Sequence, residues 1–295
     1  MSTQVSTAFV EQYKANVQML VQQAGSKLRG LVDEETITGK NAFFDQIGAT
    51  AARLRITRHA DTPQVDTPHA RRRVSLADYD WADLIDQEDK VRMLIDPTSS
   101  YAKAAANAMG RAMDAVIVDA IRGTAYTGVA GGTSTVLPSA QKVATGSGGL
   151  TIVKLINAKK RMDLADVPSE NRFIAVTGEQ IEDLLNTTQV TSADYNTVKA
   201  LVSGEIDTFL GFKFVPVNGS RDGTTTTDKI LPISSTTRYC VAWQKDMVKL
   251  AVGADVMARI TERADKNHAT QVFYSMAIGA TRMQESGVVE VACTE

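Results

Sequence analysis

The stretch IDPTSSYAKAAANAMGRAMDAVIVDAIRG, residues 95–123, constrains the fold more than any other. Asp96 is suited to cap free backbone N–H groups, and Pro97 suits the first helical position, where no N–H is needed. Gly123 closes the run, as a residue that tolerates the left-handed turn after a helix. Between them lie about 25 residues, or ~38 Å at 1.5 Å per residue, about twice a typical globular helix. Ala102, Ala105, Ala106, Met109, Ala112, Met113, Val116, Ile117, Ala120 and Ile121 recur at three- and four-residue spacing. They make one continuous apolar stripe. Its first half is nearly all Ala, so another element can approach the backbone closely. Its second half is bulkier and reads as ordinary core. The helix predicted over 97–122 is a beam, and the rest of the chain must explain what it carries.

Composition removes several function classes. The 295 residues are 43% hydrophobic and 22% charged, which suits one large globular domain or two smaller ones. Lys plus Arg is 32 against 34 for Asp plus Glu, a formal charge of -2. That gives no support to a nucleic-acid binder working by phosphate neutralisation. Cys240 and Cys293 lie far apart in no metal-like spacing, which predicts a reducing compartment and two inert thiols. No window approaches eighteen apolar residues, so no membrane span is predicted. The opening MSTQVSTAFVEQYKANVQML lacks the basic region and apolar run of a secretory signal, and the expectation is synthesis and folding in the cytosol.

Along the chain, 8–32 reads as an amphipathic helix on Phe9, Val10, Tyr13, Val17, Leu20, Val21 and Ala24, weakened at Gly25 and Gly30. Nothing before residue 40 resembles a compact unit, so this part is expected to be an arm lying on something else. Residues 47–82 alternate in two places: Leu54 and Ile56 between Arg53, Arg55 and Thr57, and Val74 and Leu76 between Arg73, Ser75 and Ala77. Period two means strands with unlike faces, and the Thr-Pro pairs of HADTPQVDTPH mark a tip. This predicts a long antiparallel hairpin too poor in large apolar residues to stand alone in water, so it must lie against a partner surface.

After Gly123 a Gly-, Ser- and Thr-rich stretch reads as a linker. Residues 150–253 read as a compact α+β lobe. Its helices are predicted at 151–165, in GEQIEDLLN and in DYNTVKALVSGEI. Its strands are RFIAVT (172–177), FKFVPV (212–217) and a pair within RYCVAWQKDMVKLAVG. Residues 255–263, 269–282 and VVEVA after Ser286 and Gly287 read as closing strands.

Chemistry is scarce. No GxGxxG, P-loop or GxSxG occurs, and the three histidines are His59, His69 and His268. His59, Asp61, Asp66 and His69 around the hairpin tip are the best candidates for a divalent ion and for a metal-dependent enzyme. No ligand among them lies on a rigid element at fixed spacing, so a solvated turn is the favoured expectation. The arginines matter more. Arg53, Arg55 and Arg58 lie on one proposed strand, Arg71, Arg72 and Arg73 open the other, and residues 41–89 contain no lysine. The guanidinium fork pairs with carboxylates in two-point geometry. Asp78, Asp80, Asp83, Asp86, Glu88 and Asp89 follow directly. A basic hairpin beside an acidic segment is self-complementary between identical copies. The alternatives are a solvated charged ribbon or a nucleic-acid contact, the latter weakened by the nearby acids.

The order of arm, basic hairpin, long helix, mixed lobe and closing strands resembles the major capsid protein of tailed bacteriophages. So do the stretches RRRVSLADYDWADLIDQEDKVRMLIDPTSSYAKAAANAMGRAMDAVI and TQVFYSMAIGATRMQESGVVEV. The resemblance covers nearly the whole chain and rests on structural motifs. It implies the α+β tailed-phage capsid fold: an N-terminal arm over 1–40, an extended loop over 41–83, a peripheral domain over 84–127 and 256–295, and an axial domain over 128–255. It implies pentamers and hexamers closing an icosahedral shell around double-stranded DNA, in the virion after assembly in the host cytoplasm. DNA would be held without sequence-specific contacts, with no catalytic residue, cofactor, metal or membrane.

The partners implied are the chain itself, a portal protein and, on some shells, a decoration protein. Some relatives weld neighbours through a loop lysine and an asparagine. With no lysine in 41–89, no such cross-link is expected. The chain before the hairpin is too short for a fused scaffolding region, so a separate scaffolding protein is expected. Arg71, Arg72 and Arg73 are expected to meet acids of an adjacent subunit among 78–89. A prokaryotic encapsulating compartment would share this fold.

Overall fold

A computed structural model describes residues 22–58, 61–62, 64–86, 98–146, 148–186, 208–221 and 228–295. Its axis is α1, Thr98–Arg122. The row Ala105, Met109, Met113, Ile117 and Ile121, one residue per turn, is buried. Ala106 of the expected stripe is exposed, while Asp114, Ala115 and Val118 are buried beside the row. The expected caps Asp96 and Pro97 lie outside the described residues. Gly123 ends the helix for a different reason from the one expected. Its φ is not in the left-handed region, but a Cβ there would stand 2.6 Å from Asp119 O, the acceptor of its own N–H.

The bulky half of α1 packs on a four-stranded sheet. This comprises β1 (Asp33–Thr36), β13 (Val248–Arg263), β14 (Ala269–Arg282) and β4 (Ala77–Ile85), in the order β1-β13-β14-β4. Met109, Met113, Ile117 and Ile121 share one core with Leu250, Met276 and Ile278, and Tyr79, Trp81 and Tyr274 pack at its rim. Each buried large aliphatic side chain there contributes about 1.5–3 kcal/mol.

A second sheet of seven strands forms the lobe. Its path is β7 (Lys142–Val143), β15 (Val288–Thr294), β12 (Thr237–Gln244), β8 (Arg172–Val176), β10 (Phe212–Pro216) and β9 (Thr208–Phe209), with β11 (Ile233–Ser234) pairing β12. Alternation divides its faces. Phe173, Ala175, Val241 and Trp243 join the core beneath α1. Ile174, Val176, Cys240, Ala242, Val289 and Val291 meet the inner side of α2 (Ile152–Asp163) and α3 (Gly178–Asn186). A sheet buried on both faces needs near-continuous apolar strands, as RFIAV and VVEVA supply.

The two strands expected as a pair in 238–253 fall in different sheets, because a 3-10 turn at Lys245–Met247 redirects the chain. The final strand sits inside the lobe sheet between β7 and β12. The expected helix DYNTVKALVSGEI lies outside the described residues.

A third sheet, in the order β2-β3-β5-β6, holds the base of the hairpin: β2 (Asn41–Ile47), β3 (His69–Ser75), β5 (Ala125–Thr127) and β6 (Thr133–Thr135). The hairpin is antiparallel, running from Asn41↔Ser75 to Ile47↔His69. Its first strand is 41–47, not 53–57. Leu54 and Ile56 are 88% and 87% exposed, because none of the described residues covers that alternating face. The expected second strand also divides: beyond Leu76 the chain passes from this sheet into β4 of the first.

Candidate functional site

The arm meets the beam at Asp114. The expected helix over 8–32 is not what its described part forms. Residues 22–28 are irregular, Gly25 has φ 63°, and only a 3-10 turn follows at Arg29–Leu31. Asp114 is fully buried and takes up the donors this segment leaves unpaired: Ser26 Oγ at 2.5 Å, Lys27 N at 3.0 Å, Leu28 N at 3.0 Å and Gln23 Nε2 at 2.5 Å. Gly110, one turn earlier, has no Cβ because one would stand 2.2 Å from Gly25 C. The small first half of the helical stripe therefore extends to Gly110 as a seat for the arm. Farther along, Arg29 bridges Glu34 and Asp255 at 2.5 and 2.9 Å. The hydrogen bonds from Arg29 hold both carboxyls below their ordinary values.

The base of the ribbon is fixed by arginines the sequence had suggested for a neighbour. Arg72 is buried; its Nε donates to Met283 O and its Nη2 lies 2.7 Å from both Glu285 oxygens. Arg71 pairs with Asp45 across the hairpin at 2.7 Å, and Arg73 lies 4.8 Å over the Tyr126 ring. Arg72, one of the arginines expected at an intersubunit contact, is thus held by Glu285 and Met283 of its own chain. Arg282, fully buried, donates to Ile121 O, Gly123 O and Thr135 O, and its Nε stands 3.5 Å from Glu285. Burial lowers its pKa and the Glu285 charge works against that. One carboxylate therefore joins hairpin, closing strand and the carbonyl end of α1. The sequence carries no signal for Glu285, and Asp114 shows only as an acid inside an apolar run.

Beyond that joint Arg53, Arg55 and Arg58 are exposed, and among the described residues Arg55 donates a hydrogen bond to Thr57 O. Asp78 and Asp80 lie on the exposed face of β4, Asp83 is half-buried on the other face, and Asp86 is exposed just past its end. Glu88 and Asp89 lie outside the described residues. So does His59 of the metal candidates. Asp61, Asp66 and His69 do not converge, and no group of three ligating side chains that could hold a metal ion occurs among the described residues.

The lobe is pinned by buried charge. Lys154 donates to Gly148 O, Gly149 O and Ala292 O, and burial lowers its pKa. Arg238 grips the last residue, Glu295, at 2.7 Å. Burial pushes Glu295 up, but hydrogen bonds from Arg238, Gln180 and Thr177 outweigh it and leave the carboxyl below its ordinary value. Cys240 and Cys293, distant in sequence, sit on the paired strands β12 and β15 as free buried thiols. The hydrogen bond to Cys293 and burial push Cys240 up.

These joints tie arm, helix, hairpin and lobe into one body and leave the ribbon beyond Ile47 exposed. Residues 5–295 match the family model for phage capsid protein. The chain belongs to the phage capsid protein family. No curated protein sequence matches it significantly. Among solved structures, it is similar to the capsid of cyanophage P-SCSP1u, with 18% identity over 100% of this chain and 96% of that chain at TM-score 0.73. It is also similar to a chain of Mycobacterium phage Che8, with 17% identity over 96% and 97% at TM-score 0.67. The capsid of Ralstonia phage GP4 matches with 8% identity over 97% and 95% at TM-score 0.73. Identities this low carry the fold alone, and the fold is the α+β tailed-phage capsid fold. The family makes the chain a structural major capsid protein of a virion shell.

Proposed function

We propose that copies of this chain close as pentamers and hexamers into an icosahedral shell around double-stranded DNA. The observation that carries this reading is the family match over 5–295 joined to a ribbon whose Leu54 and Ile56 stand almost fully exposed and whose residues 49–56 have no backbone partner among the described residues. A closed shell multiplies modest interfaces by symmetry, so each can be polar and moderate in size. The working division is an arm over 1–40, an extended loop over 41–83, a peripheral domain over 84–127 and 256–295, and an axial domain over 128–255. Strand pairing favours two adjustments: 77–83 goes with the peripheral sheet and Val288–Thr294 with the axial one.

The chain is proposed to work without catalysis. Assembly is proposed to take place in the host cytoplasm on a separate scaffolding protein, with a portal protein at one vertex, room for a decoration protein, and DNA held without sequence-specific contacts. The loop's missing lysine leaves shells held by packing and charge. Electron microscopy of purified particles, with their nucleic acid measured, tests this reading. DNA-filled icosahedral heads in which this chain is the most abundant protein are expected, and boiling in detergent should release monomers. DNA-free compartments around a protein cargo, or a ladder of covalent oligomers, would overturn the respective part.

A further inference from the structure

The free segment of the ribbon and the open edge of β4 match residue for residue. Arg53, Leu54, Arg55, Ile56 and Arg58 alternate as Asp78, Tyr79, Asp80, Trp81 and Asp83 do. Laid side by side in the same direction, every arginine faces an aspartate, Leu54 faces Tyr79 and Ile56 faces Trp81. The faces agree too. Asp78 and Asp80 point to the exposed side of β4, while Tyr79, Trp81 and Asp83 point to the half-buried side. In an extended strand Arg53 and Arg55 share one side, and Leu54, Ile56 and Arg58 the other. Run antiparallel, the best alignment matches only two arginines with aspartates.

We propose that residues 53–58 of one copy add as a parallel fifth strand to the β4 edge of a second copy. A second copy is available only if the chain builds a shell, so the proposal rests on that reading. Three observations support it. β4 pairs with β14 on one side and with no strand on the other among the described residues, leaving a row of backbone donors and acceptors open. Residues 49–56 belong to no helix, strand or turn and have no backbone partner among the described residues, so their donors and acceptors are available to a strand edge. The opposite edge of the same sheet is already neutralised: Lys249 holds Asp33 and Glu35, and Arg29 holds Glu34. Asp78 and Asp80, by contrast, have no ion-pair partner among the described residues.

Within its own subunit the segment does not lie on this edge: residues 53–58 are exposed and join no strand among the described residues, and β3, paired on both sides over six steps of ~20 Å, stands between the loop and β4. Main-chain hydrogen bonds would supply affinity, and the charge alternation would supply register.

The test uses the full chain produced with the other assembly proteins of its phage. R53E/R55E and D78R/D80R each change exposed side chains, and each should cut the yield of sedimenting particles by about tenfold or more while subunits stay soluble. All four changes in one chain should restore the yield to within about twofold. Register is read separately by oxidising particles of cysteine variants. R53C/D78C should link chain to chain and R53C/D80C should not, because a disulfide needs Cα atoms within ~7 Å and the diagonal exceeds that. Native yield from either reversed variant, no recovery in the combined one, or linking through R53C/D80C alone would overturn the proposal and leave the capsid reading standing. If the unaltered chain forms no particles, the capsid reading itself falls.

Discussion

Glu285→Ala removes one carboxylate and isolates two guanidinium groups. Arg72 directs Nη2 at both of its oxygens, and Arg282 keeps its Nε 3.5 Å away with no exposed surface. A unit charge pair at 4 Å in an effective dielectric near 20 interacts by ~4 kcal/mol, and breaking a buried pair typically costs ~3–5 kcal/mol. Glu285 retains 22% of its side-chain exposure, so water can return to part of the site and the lower end applies. The expected loss is about 3 kcal/mol, or roughly 6 °C in Tm for a domain of this size. Glu285→Gln keeps an acceptor and loses the charge, with about 2 kcal/mol expected. Urea unfolding of unassembled subunits at fixed concentration measures both, with the slope unchanged if only stability moves. Arg72→Met combined with Glu285→Ala should cost less than the sum, because the second change removes a charge already stranded. A loss below about 1 kcal/mol for Glu285→Ala, or strict additivity in the cycle, would refute the claim that this carboxylate holds the joint.

The lobe, the arm seat and the acid limit can be checked in the same unfolding assay. Lys154→Met strips the donors from three carbonyls and should cost about 3 kcal/mol, whereas a neutral result would mean water takes the ammonium's place. Gly110→Ala should cost about 1–3 kcal/mol, since the new methyl would press on Gly25 backbone that has no flexible end to swing aside; limited proteolysis within 22–32 should rise with it. Glu34, Asp255 and Glu295 have folded pKa values below their unfolded ones, so their contribution is present above pH ~4 and is lost as pH falls through the lowered values. Stability should stay level from neutral pH to about 5 and drop below ~4, and Arg29→Met should lose less across that drop than the parent. An equal acid loss in Arg29→Met would refute the assignment to Arg29.

Much of the fold was legible because burial imposes a period. The helix at Thr98–Arg122 follows from its row of apolar residues, and RFIAV, FKFVP and the closing strands follow from composition and alternation. What periodicity does not encode is which sheet a strand joins. Thr237–Gln244 and Val248–Arg263 read as one hairpin, yet a three-residue turn sends them to different sheets. The same limit hid the passage at Leu76 from the ribbon to β4. Asp114 was invisible for a related reason. A carboxylate within an apolar stripe looks like a lapse in the pattern until an irregular segment brings it four donors from 86–91 positions away.

The ribbon's charge was legible, but its division of labour was not. Six arginines look equivalent in sequence, and the fold separates them by distance from the core. Those on β3 stand where the third sheet closes over the end of β14, so Arg72 meets Glu285 and is buried. Those at 53–58 lie beyond the last hairpin pair, Ile47↔His69, with no cross-strand partner among the described residues. Chain length alone therefore converts one basic run into two functions. The first half stiffens the base, which fixes the direction in which the ribbon leaves the body. The second half leaves its charge and backbone exposed, where a second copy is proposed to bind. Strengthening the base pairs cannot substitute for the outer ones, because an ion pair inside the subunit orients the ribbon without holding anything at its end.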